Sequence, residues 1–293
     1  MSVDASPAVG GAPLRSNGRG AFVALLAFFV FSSGDVFVKL LTGHMPAPQV
    51  TFLIAAIGIL LMVAYTAATG RMRRLWPRHP GSAFLRAALI AGDTILIHYA
   101  FSVPPLAEAY LLSFLTPVLV AILGFLLLGE RLSRIGWMGV LLGFAGVAVA
   151  LKPGVQPLNA GHAAAVGSAV LFALSLVLLS RTKLAENDEA LVFSVMLVQA
   201  PMALALAATF ETLAPVSPVN LALVVGGGLT MMIGHGLLVR AFRIGEASVV
   251  APFQYSQIIW GCLYGLLLFA TPVELHTLAG AAIIIISGWL VLK

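Results

Sequence analysis

The sequence predicts an all-α integral membrane protein of ten transmembrane helices, built as two inverted five-helix repeats. Three observations carry that prediction. The first is composition: of 293 residues, 60% are apolar and only 9% are charged, against roughly 25% charged in a soluble domain. The mean hydropathy is +1.05. So few charges cannot cover a soluble chain of this length, which excludes a soluble globular enzyme, a disordered chain and a secreted disulfide scaffold. The second is a succession of apolar runs, each close to the length that a hydrocarbon core of about 30 Å demands of a helix. The third is that the chain matches itself at a fixed offset.

Residues 1–20 are small, polar and rich in Gly and Pro, and read as a disordered cytoplasmic tail. The apolar run behind them is too long for a signal-peptide core and has no cleavage-type site at its end. The ten runs cover 21–41, 48–69, 83–101, 105–128, 136–151, 161–181, 190–210, 219–240, 246–269 and 274–292. Only Val103-Pro104-Pro105 separates the third from the fourth. Proline lacks the N–H and restricts its predecessor, so a Pro pair breaks a helix there. The single Cys262 lies inside an apolar run, which excludes an internal disulfide and a Cys-based metal site.

Orientation follows from the basic residues. Arg15, Arg19, Arg71, Arg73, Arg74, Arg78, Arg131, Arg134, Arg181, Lys183, Arg240, Arg243 and Lys293 fall on one side, and only Lys152 on the other. Both termini are therefore expected in the cytoplasm. The pI of about 9.7 does not indicate a nucleic-acid partner, because these charges are scattered over separate short loops. The expected partners are the lipid bilayer and a small-molecule substrate, with the chain acting as a monomer.

Gly20 falls on Gly161, an offset of 141, and the same offset places Phe31 on Phe172, Phe52 on Phe193, Gly124 on Gly265 and Gly139 on Gly280. The repeats cover 21–151 and 161–292, five spans each, and an odd number inverts the second half. The charges agree: Arg71, Arg73 and Arg74 fall on Thr212, Ala214 and Pro215, while Arg240 and Arg243 fall on Tyr99 and Ser102. Each basic loop thus meets an uncharged counterpart. Inverted repeats point to secondary transport, with a substrate site near the midplane.

The ten spans, the two halves and the stretch Pro117…Gly124-Phe-Leu-Leu-Leu-Gly129-Glu130-Arg131…Gly139 resemble the drug/metabolite transporter superfamily, EamA type. In the second half the motif has decayed: Ile258 replaces the Pro and Ala270-Thr271 replaces Gly-Glu, with an acidic residue only at Glu274. Within the superfamily the chain most resembles bacterial exporters of aromatic amino acids of the YddG type. That resemblance implies export of amino acids or related metabolites across a bacterial inner membrane.

Ionisable and polar residues inside spans are the candidates for substrate binding or gating. Asp35 and Lys39, one turn apart, either meet a zwitterionic substrate or form a local ion pair. Asp93 either binds an ammonium or takes a proton, or it pairs with Arg86 on the same face. His235, opposite Thr94 in the repeat register beside Asp93, is a site residue or a hydrogen-bonded structural imidazole. His98 and Tyr99, with Glu108, form an outer gate or sit at the wet interface. Gln254, Gln257, Gly261 and Tyr264 share one face of the ninth span, and Ser113 and Thr116 are the repeat partners of the two glutamines. This polar pattern lines a cavity or joins helices across the repeat interface. Tyr255 and Trp260 offer rings for an apolar or aromatic substrate. Gly139-xxx-Gly143 and Gly261-xxx-Gly265 read as packing signals, and His44, His79, His162 and His276 as interface residues.

No P-loop, H-E-x-x-H or G-x-S-x-G pattern occurs. No catalytic residue, metal or cofactor is therefore expected. The alternatives to a carrier are a passive facilitator and, with scattered rather than clustered candidates against it, an intramembrane lipid-modifying enzyme.

Overall fold

The structure is a computed structural model that describes residues 17–102, 111–151, 157–182, 186–210, 212–270 and 273–293. Helices follow one another as α1 (Asn17–Thr42), α2 (Ala47–Ala68), a 3-10 turn (Met72–Leu75), α3 (Pro80–Ser102), α4 (Thr116–Leu123) running into a π turn (Gly124–Leu128), α5 (Arg134–Leu151), α6 (Ala160–Thr182), α7 (Asp188–Phe210), α8 (Pro218–Ile244), α9 (Ala247–Val250), a 3-10 turn (Ala251–Tyr255), α10 (Ser256–Phe269) and α11 (Leu275–Val291). Among the described residues eight helices are long and apolar enough to cross a membrane, and Leu275–Val291 is a shorter apolar helix.

Three boundaries differ from the sequence reading. The last residues assigned to the tail are the first turn of α1, and Gly20 is buried where α1 crosses Gly245; a Cβ on Gly20 would lie 2.9 Å from the Gly245 Cα. The ninth span is not one regular helix. Pro252 has no N–H to continue an α ladder, and the chain passes through a 3-10 turn between α9 and α10. The fourth span bends at Phe114-Leu115 and ends in the π turn, closed by Gly129 in the left-handed region (φ 68). Residues 1–16, Val103-Pro104-Pro105, Glu108, Lys152 and Lys183 lie outside the described residues.

Lipid offers no hydrophobic force between helices, so close packing must come from small residues. Four pairings organise the bundle: α1 with α8, α3 with α6, α2 with α7 and α5 with α11. Exchanging residue n for n + 141 carries these pairings into one another. The same exchange holds at atomic detail. Gly139 of α5 meets Val291 of α11, where a Cβ would lie 2.7 Å from Val291 Cγ2, and Gly280 of α11 meets Ala150 of α5, 2.6 Å from its Cβ. In α8, Gly226, Gly227 and Gly228 make room in turn for Phe37, Ile54 and Ile57, seating α8 between α1 and α2.

The largest buried cluster gathers Ala24, Phe28, Leu176, Leu179, Leu191, Leu238 and Phe242. All lie in the parts of their helices nearest the arginine-bearing connections. The bundle is therefore packed most tightly at that basic end.

Candidate functional site

The inward face of α1 carries Ala24 and Phe28, both essentially inaccessible. Asp35 lies seven residues beyond Phe28, on the same face, yet it is exposed. Asp35 makes no hydrogen bond or ion pair with any described residue, so the local pair with Lys39 does not form. Asp93, on α3, does not pair with Arg86 either. Its Oδ1 accepts a hydrogen bond from Ser168 Oγ of α6 at 2.5 Å.

The aromatic and polar candidates divide between the interior and the packing. His235 sets its ring edge-on to Phe31 at 5.1 Å, and its buried Nδ1 has no hydrogen-bond partner. Trp260 meets Phe29 at 5.1 Å with its indole nitrogen buried and unpartnered, while Tyr264 shares a 2.6 Å hydrogen bond with Ser33. Gln257 is half-buried beside them. Gln254 and Ser256 are buried, and Gln254 Oε1 and Ser256 Oγ lack partners. Tyr255 is fully buried, its ring against Phe114 at 6.2 Å and against Gly143, so it wedges α5 and lines no open space. Thr116 donates to the Ser113 carbonyl at 2.8 Å and the Ala169 carbonyl at 3.4 Å, which makes it a helix-joining residue.

Tyr99 shares the exposed stripe of α3 with Ala88 and Ile95, opposite the buried Ala83, Ala87 and Ile90. His98 lies in α3, but its side chain falls outside the described residues. Gly261 faces open space, so the second small-residue pair is not a packing signal at that position.

Several residues outside the predicted set close the basic end. Glu186 is buried between α6 and α7, and its carboxylate accepts backbone N–H bonds from Arg78, at 2.8 Å, and from His79, whose ring nitrogen also approaches it at 3.0 Å. Glu189 faces Arg71 and Arg74 at 3.7 and 3.6 Å. Arg243, at the end of α8, forms an ion pair with Asp188 and donates to the Glu186 carbonyl. His79 is therefore part of this closure, and His162 is buried near the start of α6, where Nδ1 accepts from the Asn159 N–H at 3.2 Å. The signal for the closure was present as charge pattern: Glu186-Asn187-Asp188-Glu189 is an acidic cluster on the side that bears the cations. Glu130 of the sequence motif has a further role here. Its carboxylate accepts from the N–H groups of Ala247 and Ser248, at 3.0 and 2.9 Å, and from Ser248 Oγ at 2.8 Å, capping α9 across the two halves.

Arg86 is the other residue whose importance the sequence did not reveal. It is 1% exposed, and Nη1 donates to the Leu191 carbonyl of α7 at 3.2 Å. Nε and Nη2 are buried without partners. No group of three His, Cys, Asp or Glu residues is placed to hold a metal ion among the described residues.

The sequence profile of the EamA-like transporter family matches this chain twice, over residues 18–152 and 159–293. The chain belongs to the EamA-like transporter family. Its two matches divide it where the 141-residue register does. Among similar family proteins, the pseudopaline exporter CntI of Pseudomonas aeruginosa (strain UCBPP-PA14) is 26% identical, over 92% of this chain and 94% of that protein. An S-adenosylmethionine uptake transporter of Rickettsia bellii is 24% identical over 89% of each chain. A riboflavin transporter of Vibrio cholerae is 25% identical over 89% of this chain and 88% of its own. One solved crystal structure superposes with a TM-score of 0.81 over 94% of this chain and 96% of that chain, at 21% identity, a likeness of fold. This EamA-like protein is thus a multi-pass membrane transporter and not an enzyme, and its relatives carry several kinds of small molecule.

Proposed function

We propose that the protein is a secondary transporter of a bacterial inner membrane that exports amino acids, aromatic and other apolar ones preferred, or related small metabolites, by alternating access. In this reading it has ten spans in two inverted repeats, 21–151 and 161–292, with both termini in the cytoplasm, and works as a monomer. The basic end is then the cytoplasmic one. One observation carries the reading: two carboxylates, Asp35 and Asp93, lie on inward-facing positions of α1 and α3 without a cationic partner among the described residues. An intramembrane carboxylate without a counter-ion is costly and marks a path for a cation or a proton. Phe29, Phe31 and Trp260 offer the apolar wall that a side chain would need.

The bodies that rock are mixed bundles and not the two sequence halves. α1 and α2 pack with α8, and α6 and α7 pack with α3. Exchange by 141 residues relates these two groups, as alternating access between symmetry-related states requires.

The test is counterflow in proteoliposomes preloaded with unlabelled phenylalanine, following labelled phenylalanine with methionine, threonine and glutamate as competitors. A transient overshoot supports a saturable carrier, and equilibration without one favours a facilitator. Lack of uptake by folded protein removes the amino-acid reading. Asp93→Asn is expected to abolish the overshoot with the protein still monodisperse, and an overshoot of wild-type size from that variant sinks the role of Asp93.

A further inference from the structure

We propose that Arg86 is an anion-binding residue that takes the carboxylate of the transported molecule when the basic end opens, an inference that rests on the transporter reading above. A guanidinium is planar, and Nε and Nη2 form one edge of it, the side-on fork that grips two carboxylate oxygens in parallel. In Arg86 that whole edge is buried and has no acceptor. Nη1, on the other side, is anchored to the Leu191 carbonyl at 3.2 Å, which fixes the plane of the group. Ala87, Ile90 and Val195 surround this part of the α3–α7 contact with buried apolar side chains, where an unpaired cation is unfavourable by several kcal/mol. A residue kept only for packing would be served better by an apolar side chain of the same volume. What the site lacks is a two-oxygen anion.

The position fits capture from the basic side. Arg86 stands two turns inside the start of α3, directly behind the Glu186 closure that holds Arg78 and His79. Asp93 lies seven residues further on, roughly 10 Å along the axis. An α-amino acid, with one carbon between ammonium and carboxylate, engages Arg86 and Asp93 in succession. A zwitterion whose charges are several bonds apart spans both at once.

The test uses thermal unfolding of the full chain in detergent, with 3-phenylpropionate and its amide as matched probes. In the wild type the acid raises the melting temperature by about 2–4 °C at tenfold excess over its Kd, and the amide does not. Arg86→Met loses the shift, and its unliganded melting temperature is equal to or above that of the wild type. Arg86→Lys keeps the charge without the fork and weakens half-saturation roughly tenfold. The proposal is overturned by equal shifts from acid and amide, by no shift in the wild type, by an undiminished shift in either variant, or by a fall in the unliganded melting temperature of Arg86→Met. Failure of phenylalanine counterflow with the acid shift intact removes the amino-acid reading and leaves the anion site.

Discussion

Ala270 occupies a left-handed backbone conformation, φ 49, among residues that otherwise avoid it. Its partner in the repeat register is Gly129, at φ 68, so the turn that closes α4 recurs at the end of α10 with a residue ill suited to it. A Cβ costs about 1–2 kcal/mol there. Ala270→Gly is expected to stabilise the protein by about 1 kcal/mol with transport unchanged, and a lower melting temperature would show that the alanine methyl makes compensating contacts. The decay of the second motif was legible as Ala270-Thr271, but the survival of its backbone shape was not. Arg86 and Asp93 teach the complementary lesson. They share a face in the sequence, yet helical side chains lean toward the N-terminus. Arg86 leans away from Asp93 and reaches Leu191 on another helix.

At the scale of elements, two of the contacts that join the halves can be tested directly. Glu130 caps α9 with three donors, all buried. Glu130→Ala leaves them unsatisfied and is expected to lower stability by roughly 2–3 kcal/mol, read as a fall in melting temperature; Glu130→Gln, which keeps one acceptor oxygen, should lose less. Equal losses would show that the charge and not the acceptor geometry matters. The α5–α11 contact has no room at all: a Cβ on Gly280 would meet the Gly146 carbonyl at 2.5 Å and the Ala150 Cβ at 2.6 Å. Gly280→Leu should cost upward of about 3 kcal/mol, or abolish folded yield, whereas Gly261→Leu, facing open space, should be tolerated. Comparable yields of the two variants would contradict this packing. The Gly139 pair announced this interface in the sequence, while Gly261 mimicked it, because a spacing pattern does not reveal whether its face meets protein or open space.

At the scale of the molecule, the basic end is a closure. The α2–α3 connection, the α6–α7 connection and the end of α8 converge on Glu186, Asp188 and Glu189. An ion pair with a solvent-exposed arginine at 3.6 Å, such as Glu189 with Arg74, contributes little, about 0–1 kcal/mol. Glu186 contributes more, because its side chain is inaccessible and holds two backbone N–H groups. Glu186→Gln is therefore expected to loosen the closure by about 1.5–3 kcal/mol, raising amide exchange in residues 71–79 while the α5–α11 contact stays protected. Unchanged exchange there would mean that the apolar cluster beneath, and not the carboxylate, keeps this end shut.

The membrane class, the near-boundaries of most helices, the gathering of basic connections at one end and the 141-residue register were all determined by the sequence alone. They depend on composition, run length and periodicity, which are properties of the chain taken one residue after another. Which polar residues face one another was decided only by the tertiary structure. Asp93 found Ser168, Arg86 found Leu191 and Tyr255 found Gly143, each on a helix distant in sequence. In lipid every apolar face is equally content with a tail or a neighbouring helix, so hydropathy marks where a span lies and is silent on what it meets. Small residues, side-chain lean and hydrogen bonding across helices make that choice.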